Sequence, residues 1–183
     1  MVKGSELPPK VTLAATDSLY VIDNDGPTPV SKNTAAAQVI NPNPVYGQLS
    51  AVSAGTTQTG ITSTFAKINQ FDTISSQVGV TVDLAQSHFI ANEDGIYKLS
   101  FSLSYSGDAN QVFHISFFVN DVLITKAVTL RTIQASTDIG NVGTSVIESL
   151  SQNDVVDIRV KTTLAGSHDF TVQAGNFMIS KKV

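Results

Sequence analysis

Apolar and polar side chains alternate without a break along one stretch of the chain, GIYKLSFSLSYSG at Gly95–Gly107. The odd positions from 97 to 105 are Tyr, Leu, Phe, Leu and Tyr, whereas the even positions between them are Lys and three Ser. Successive side chains of a β-strand point to opposite faces, so this period of two predicts a strand with one apolar and one hydroxyl-rich face.

Short apolar stretches broken by Gly, Asn and Asp continue from residue 46 to the end of the chain. They predict strands over 61–71, 80–91, 95–105, 111–119, 122–131, 142–150, 155–163 and 169–181. Asn120 and Asp121 separate two of these stretches and predict a tight hairpin turn, because both residue types tolerate positive φ. Strands at this spacing, without helical periodicity, predict an all-β sandwich or barrel and argue against a βαβ fold.

The first 45 residues differ from the rest because they contain all six prolines, namely Pro8, Pro9, Pro27, Pro29, Pro42 and Pro44. SLYVIDNDG predicts a short strand that ends in a turn. SKNTAAAQVI (31–40) predicts one or two helical turns, and the NPNP that follows predicts a stiff connector. We therefore divide the chain into an N-terminal segment, 1–45, and a β-domain, 46–183. The Thr-rich stretch 53–64 is either a mobile linker or an arm that crosses to a neighbouring subunit.

Composition narrows the classes of partner. The chain is 42% hydrophobic and 14% charged, against about a quarter charged in ordinary soluble domains. This balance is typical of an all-β protein or of a surface buried against copies of itself. The net charge of −4 argues against nucleic-acid binding, which needs a basic footprint. No apolar run approaches the roughly 18 residues of a membrane helix, so we predict no membrane insertion.

Catalytic motifs are absent from the sequence. The chain has no Cys and no G-x-S-x-G, H-E-x-x-H, P-loop or G-x-G-x-x-G pattern. Residues 140–145 (GNVGTS) are Gly-rich but lack the Lys of a phosphate loop, and they are interpreted as a loop before a strand. His88, His114 and His168 are the only imidazole bases, and none lies in a local signature. We therefore predict that the protein is not an enzyme.

A metal site is not predicted either. DNDG (23–26) begins like an EF-hand loop, but Thr34 stands where the loop requires its final Glu, so a turn is the better interpretation. Asp108, Asp138 or Asp169 could hold a cation, yet no two acidic residues form a dense oxygen-ligand pattern. The histidines lack ligand spacing. The prediction is no metal and no cofactor.

The order of motifs in the second domain resembles the C1q/TNF-like jelly roll. EDGIYKLSF opens a central strand, ESLSQNDVVDIRV forms a later strand pair, and VQAGNFMIS forms the closing strand. The resemblance covers about residues 60–183 and departs from the family at the closing strand, where a Ser-Gly-aromatic-Leu ending is common. It implies an antiparallel jelly-roll sandwich that assembles as a homotrimer around an axis.

The N-terminal segment has a resemblance of its own. LAATDSLYVIDNDGPTPVSKNTAAAQVI is similar to small modules of bacteriophage tail fibres and related virion proteins, over about residues 10–40. The resemblance implies a β-turn/helix segment that attaches the chain to other virion proteins. The residues expected to make that attachment are Leu19, Tyr20, Val21 and Ile22.

Three polar loops, 106–111, 132–143 and 163–170, are the candidate receptor surface. Polar groups beside an aromatic ring suit sugar hydroxyls, although any solvated loop has a similar composition. The candidate residues are Tyr105, Asp108, Asn110, Asp138, Asn141, His168 and Asp169.

An outward-facing aromatic residue indicates contact with another subunit. Phe118 breaks the polar side of FHISFFVND, and it joins Tyr97 and Phe101 as a candidate subunit contact. The alternative is that a loop or neighbouring strand of the same chain covers Phe118. The Ser-rich face of the opening strand would either line the trimer axis or face solvent.

These predictions combine into a phage virion structural protein, located in the particle after assembly in the host cytoplasm. A trimeric fibre or tip would attach through its N-terminal segment and present a jelly-roll head to a host-surface glycan or protein. The first alternative is a capsid decoration or head-fibre protein with a stabilising role. A secreted C1q-like ligand is the second alternative, against which the absence of a signal-peptide core and of Cys weighs.

Overall fold

The computed structural model describes residues 18–23, 30–35, 44–53 and 55–182. The chain divides into two compact units, Met1–Pro42 and Asn43–Val183.

The described part of the first unit is an antiparallel strand pair, β1 (Ser18–Asp23) and β2 (Val30–Ala35). The strand predicted for SLYVID is confirmed. The helical turns predicted over 31–40 are wrong for 31–35, because these residues pair along their whole length with β1, and cross-strand pairing overrides a weak helical preference. Residues 24–26 of the predicted turn, residues 36–40 and most of the Pro-rich connector lie outside the described residues.

Two antiparallel sheets form the second unit. The first, which we call the front sheet, has the order β13-β9-β15-β3-β6, with β4 also paired to β15. Its strands are β3 (Tyr46–Ala51), β4 (Gln58–Ile61), β6 (Thr73–Val78), β9 (Gly95–Gly107), β13 (Gly140–Leu150) and β15 (His168–Lys182).

The second sheet, which we call the back sheet, has the order β11-β10-β14-β8-β7, with β12 paired to β10 and β5 paired to β14. Its strands are β5 (Ala66–Lys67), β7 (Val80–Asp83), β8 (His88–Ala91), β10 (Gln111–Val119), β11 (Val122–Leu123), β12 (Thr129–Ile133) and β14 (Val155–Thr162). A 3-10 turn, Thr125–Ala127, precedes β12. In the part of the chain described here, no helix is long and apolar enough to cross a membrane.

The long strands confirm the sequence predictions, and the predicted all-β sandwich is confirmed with them. The hairpin turn at Asn120 and Asp121 is confirmed as well, since both residues have positive φ, 48° and 67°. The predicted loop at 140–145 is wrong, because these residues form the start of β13 and pair with β9.

The short strands differ from the predictions. The single strand predicted over 61–71 is wrong. Only its first residue, Ile61, belongs to β4 and only Ala66–Lys67 form β5; these two strands belong to different sheets and are joined by a crossing segment, 62–65. The strand predicted over 80–91 is the hairpin β7–β8, whose turn is fixed by a hydrogen bond from Gln86 N to Asp83 Oδ1 (2.9 Å). The strand predicted over 122–131 is interrupted by the 3-10 turn.

The core lies between the sheets and is rich in aromatic rings. The odd residues of β9 from Tyr97 to Tyr105 are at most 3% exposed, as their alternation predicts. Ring contacts join the two sheets, with centroid distances of 5.1 Å for Phe101–Phe117 and 4.5 Å for Phe89–Phe177. Each such buried side chain contributes about 1.5–3 kcal/mol through the hydrophobic effect, which makes this layer the main source of stability.

The two ends of the sandwich are distinct. Four connections, 62–65, 108–110, 134–139 and 163–167, lie at one end, which we call the loop end. The opposite end, which we call the base, contains the Asn120–Asp121 turn, the 151–154 turn and the start of the domain at Val45, whose carbonyl accepts from Lys181 N (2.8 Å). Candidate receptor residues from three predicted loops are therefore placed at the loop end.

Candidate functional site

Asp108, His168 and Asp169 are brought together at the loop end. The Oδ2 atom of Asp108 lies 3.1 Å from His168 Nδ1 and accepts a hydrogen bond from the backbone N–H of Asp169 (3.2 Å). One carboxylate thus ties the β9–β10 connection to the start of β15. These two candidate loops are therefore neighbours in the structure.

The second ring nitrogen of His168 is not available to a substrate. His168 Nε2 is buried and has no hydrogen-bond partner among the described residues, and only 14% of the side chain is exposed. A general base must reach the proton it removes, so the Asp108–His168 pair lacks the open face that a catalytic dyad requires. Its geometry fits a clamp between two loops.

The other polar candidates are divided between loop and strand. Asn110 is exposed in the 108–110 turn with φ 61°. Asp138 accepts from the backbone N–H groups of Gln134 and Ala135 (3.2 and 2.9 Å), so it shapes its own loop. Asn141 is on β13 rather than in a loop, and it accepts a hydrogen bond from Ser104 Oγ (2.6 Å).

Tyr105 is buried, which corrects its prediction as a receptor residue. Its side chain is 0% exposed, and its ring packs on Phe113 and Phe170 at centroid distances of 5.7 and 4.8 Å. Burial raises the pKa of its hydroxyl above the ordinary value. The residue is the last apolar position of the alternating pattern, so the period of two placed it in the core, beyond reach of a ligand on the surface.

The three candidate subunit contacts are also buried in their own chain. Tyr97 and Phe101 are 0% and 3% exposed and belong to the core. Phe118 points away from the core but is only 6% exposed, because Phe65 from the crossing segment contacts it edge-on at 5.1 Å. The guanidinium of Arg159 lies 4.4 Å from the Phe118 ring centroid. The alternative interpretation, in which the same chain covers Phe118, is therefore the correct one.

The predicted attachment residues lie on β1, where each pairs with a residue of β2. They are Leu19, Tyr20, Val21 and Ile22. Their role in attachment stays a prediction.

The outer face of the front sheet carries a broad uncharged surface, which we call the serine face. Residues in register across neighbouring strands point to the same side, and one such row runs Ser145, Ser100, Met178, Gln48 across four strands. The serine face consists of Gln48, Ser50, Ser100, Ser102, Ser104, Asn141, Gly143, Ser145, Asn176 and Met178. The charged residues of this side, such as Lys98 and Lys182, lie nearer the base.

A polar cleft, which the sequence analysis did not identify, opens beside β15 between the end of β3 and the start of β4. Its volume is about 650 Å³. We call it the threonine cleft, and it is lined by Gly55, Thr56, Thr57, Gln58, Thr59, Asn69, Gln70, Phe71 and Asp72. The Thr-rich stretch 53–64, interpreted from the sequence as a mobile linker or as an arm to a neighbouring subunit, forms one wall of this cleft in its own chain.

A charged cluster lies on the outer face of the back sheet. Asp157 is 3% exposed and is paired with Arg159 (Oδ1 to Nε, 2.7 Å) and with Lys67 (Oδ2 to Nζ, 3.1 Å). Arg159 also contacts the exposed Asp121, and its hydrogen bond lowers the pKa of that carboxyl. Because every charge here has a protein partner, the cluster is structural. Among the described residues, no group of three His, Asp or Glu could hold a metal ion.

Comparisons with known proteins bear on the fold alone. No protein-family profile and no curated protein sequence matches the chain. Among solved structures, Eiger TNF from S. frugiperda superimposes with a TM-score of 0.55 over 76% of this chain and 93% of that one, at 10% identity. The fold is a C1q/TNF-like jelly roll. The globular domain of a zebrafish complement 1qA protein gives a TM-score of 0.47, at 11% identity over 72% of this chain and 94% of that one.

The jelly-roll assignment confirms the resemblance carried by EDGIYKLSF and ESLSQNDVVDIRV. These motifs form the start of β9 and the β13–β14 connection in the structure. At 10% identity the likeness to Eiger extends to the fold and not to its partners or activity.

Proposed function

We propose that this protein is a trimeric, non-catalytic structural component of a phage virion. Its N-terminal segment would attach it to the particle, and its jelly-roll head would contact the host surface. The phage origin and the attachment role are supported by the sequence resemblance over about residues 10–40. The observation that carries the assembly is the serine face.

The composition of the serine face favours burial against another subunit. Solvated protein surfaces are roughly a quarter to a third Lys, Arg, Glu and Asp, whereas interface centres are depleted of charge. None of the ten residues of the serine face is charged, and Met178 in its middle is 37% exposed. Small hydroxyl side chains let two such surfaces approach closely without electrostatic repulsion between identical copies.

Four side chains of the serine face are already held by hydrogen bonds, those of Gln48, Ser50, Ser104 and Asn141. Ser104 donates to Asn141 (2.6 Å), and the hydroxyls of Ser50 and Ser75 are 2.6 Å apart. Gln48 Nε2 also donates to Ser50 Oγ (3.2 Å). Association does not have to order these four side chains, and this lowers its entropic cost. The resemblance to C1q/TNF-like domains supports a trimeric stoichiometry.

A non-catalytic role is supported by the loop end. Its one Asp–His pair is closed to solvent at Nε2 and serves as a loop clamp. The polar candidates that remain accessible there, Asp108, Asn110, Asp138 and Asp169, are suited to hydrogen bonding with a receptor.

The assembly is tested by native mass spectrometry and light scattering of the full chain at micromolar concentration. The wild type should have three times the 19.3 kDa mass of one chain. Ser102→Arg, which places a charge at the centre of the serine face, should yield monomer. Ser136→Arg, on the exposed 134–139 loop, is the matched control and should remain trimeric. A monomeric wild type would contradict the assembly.

The virion role is tested by immunogold electron microscopy of purified particles with antibody to residues 46–183. Label at the tail supports a receptor-binding tip, and label over the capsid supports the decoration or head-fibre alternative. Deletion of residues 1–45 should abolish incorporation into particles. Particles without label would contradict the virion assignment. Incorporation of the truncated chain would contradict the attachment role of residues 1–45.

A further inference from the structure

The threonine cleft is formed where the front sheet changes partners. β15 pairs with β4 at 168–170 and with β3 at 175–180, so its middle has no strand on that side. The side chain of Gln70 fills this interval like a peptide group, donating to Phe170 O (3.1 Å) and accepting from Val172 N (2.7 Å). The backbone of Gly55 donates to Val172 O (2.8 Å) and completes the pairing. The floor of the cleft is therefore fixed by hydrogen bonds.

Both walls of the cleft are tied down as well. Thr171 Oγ1 donates to Thr57 Oγ1 (2.9 Å), and Gln58 Nε2 donates to Lys67 O (2.9 Å). On the other wall, the Asp72 carboxylate accepts from Val52 N and Ser53 N, each at 3.1 Å. A ligand would thus enter a cleft whose shape exists before binding, which reduces the entropic cost of binding.

Gly55 shows that the cleft floor is closely packed. A Cβ atom at this position would lie 2.8 Å from Gln70 Oε1 and 2.9 Å from Gln70 Cβ. Only glycine allows the backbone to approach the buried amide at this distance. The open space therefore lies above the Gln70–Gly55 layer, where the threonine hydroxyls are.

The chemistry of the lining selects for a neutral polyol. Thr56, Thr57 and Thr59 contribute hydroxyls, Asn69 contributes an exposed amide, and Asp72 contributes a carboxylate. Among the described residues, no Lys or Arg lines the cleft, so it lacks the cationic donors that favour phosphate, sulfate or carboxylate ligands.

One acceptor in the lining has unused hydrogen-bonding capacity. Asp72 accepts three hydrogen bonds, from Val52, Ser53 and Thr73, while a carboxylate offers about four acceptor positions. Because these hydrogen bonds hold the pKa of Asp72 below its ordinary value, the group stays a carboxylate near neutral pH. A hydroxyl group is a donor that would satisfy the remaining position.

We propose that the threonine cleft binds a neutral oligosaccharide. Its volume of about 650 Å³ falls within the range of about 300–1,000 Å³ that is usual for small-molecule sites. The inference rests on the proposed host-surface function, and it names the ligand class and the place. The sugar is thus proposed to bind beside the front sheet. The sequence analysis had instead proposed the polar loops of the loop end, where Tyr105 is buried.

The first experiment applies the purified full chain to an array of neutral, sialylated and sulfated oligosaccharides. Binding to neutral members is expected. Binding to the acidic members alone would overturn the inference, as would the absence of binding to the array. Neither outcome affects the immunogold result, so a wrong ligand class and a wrong virion assignment are distinguishable.

The second experiment titrates the tightest-binding neutral oligosaccharide by isothermal calorimetry. Thr59→Val and Asn69→Ala remove exposed cleft groups and should each weaken binding about tenfold, the effect of one or two lost hydrogen bonds. Thr137→Val, exposed at the loop end, is the matched control and should bind like the wild type. Asp169→Ala, also exposed there, tests the loop end as the alternative place for the sugar. Unchanged melting temperatures establish that all four variants are folded.

Loss of binding in Asp169→Ala with normal binding in both cleft variants would place the sugar at the loop end. That outcome overturns the inference about the cleft while leaving host-surface binding intact.

Discussion

The guanidinium of Arg159 lies 4.4 Å from the ring centroid of Phe118, and it pairs with the buried Asp157 at the same time. The outer face of the back sheet thus hides an aromatic ring beneath an ion pair. This relationship explains why Phe118 has no surface left for a second subunit.

The two carboxylates around Arg159 should differ sharply in their contribution to stability. Asp157→Asn leaves Arg159 and Lys67 without their buried partner and should cost about 3 kcal/mol of unfolding free energy. Asp121→Asn removes a carboxylate whose side chain is 85% exposed, so solvent screens its pair with Arg159 and the loss of stability should be much smaller. Urea denaturation at pH 7 measures both, and equal losses would contradict the structural role of Asp157.

Gln70 should be essential to the front sheet although it lies outside every strand. Gln70→Ala removes the partners of Phe170 O and Val172 N, two buried backbone groups, and should cost about 2–4 kcal/mol. Gln86→Ala, on the exposed β7–β8 turn, is the matched control and should change stability by less than about 0.5 kcal/mol. A small loss for Gln70→Ala in urea denaturation would refute the role of its amide as a substitute peptide group.

The unfolding free energy should fall between pH 7 and pH 5. Burial lowers the pKa of His88 and of His114 in the folded state. The unfolded chain then binds more protons, so the stabilisation is complete above the ordinary His pKa of about 6.5 and is lost as pH falls through the folded values.

The histidine assignment is tested by comparing urea midpoints at pH 7 and pH 5 in the wild type and in His114→Gln. The variant should show a smaller decrease than the wild type. The lowered pKa values of Asp72 and Asp121 act in a more acidic window, below their ordinary value of 3.8. An identical decrease in both proteins would argue against His114 as a contributor.

Gly175 should tolerate no side chain. A Cβ atom there would meet the carbonyl oxygen of Ser102 and lie 2.7 Å from Leu103 Cδ2, where β9 and β15 are in contact. Gly175→Ala should therefore cost about 3 kcal/mol through overpacking. Gly60→Ala has open space but φ +80°, and should lose only about 1 kcal/mol. Thermal melts of the two variants should rank them in this order, and the reverse ranking would contradict it.

The sequence could predict β9, β10, β13, β14 and β15 because each strand is long enough for its period of two to be read locally. β4 and β5 could not be separated in the same way. They are short, and their bounds depend on which sheet each joins, through pairing with His168 and Arg159 far along the chain. Long-range pairing of this kind is not encoded in a local pattern.

The candidate site shows the same division. Asp108 and His168 were identified as loop residues because polar loops can be recognised by composition, but their contact joins positions 60 residues apart. The threonine cleft was missed because its floor needs Gln70 to pair with residues about a hundred positions away. Tyr105 could have been placed correctly, since the alternation that predicted β9 also put its side chain in the core.

The side-chain amide of Gln70 takes the place of a strand beside the middle of β15. Because β15 keeps its hydrogen bonds through Gln70 and Gly55, the chain between residues 55 and 58 need not supply the rest of the pairing. Loop closure becomes only slowly costlier with length, so insertions or new sequences at 56–57 would leave the sheet closed. We therefore expect the stretch 56–57 to accept inserted or altered sequence while the hydrogen bonds of Gln70 and Gly55 keep β15 paired beneath it.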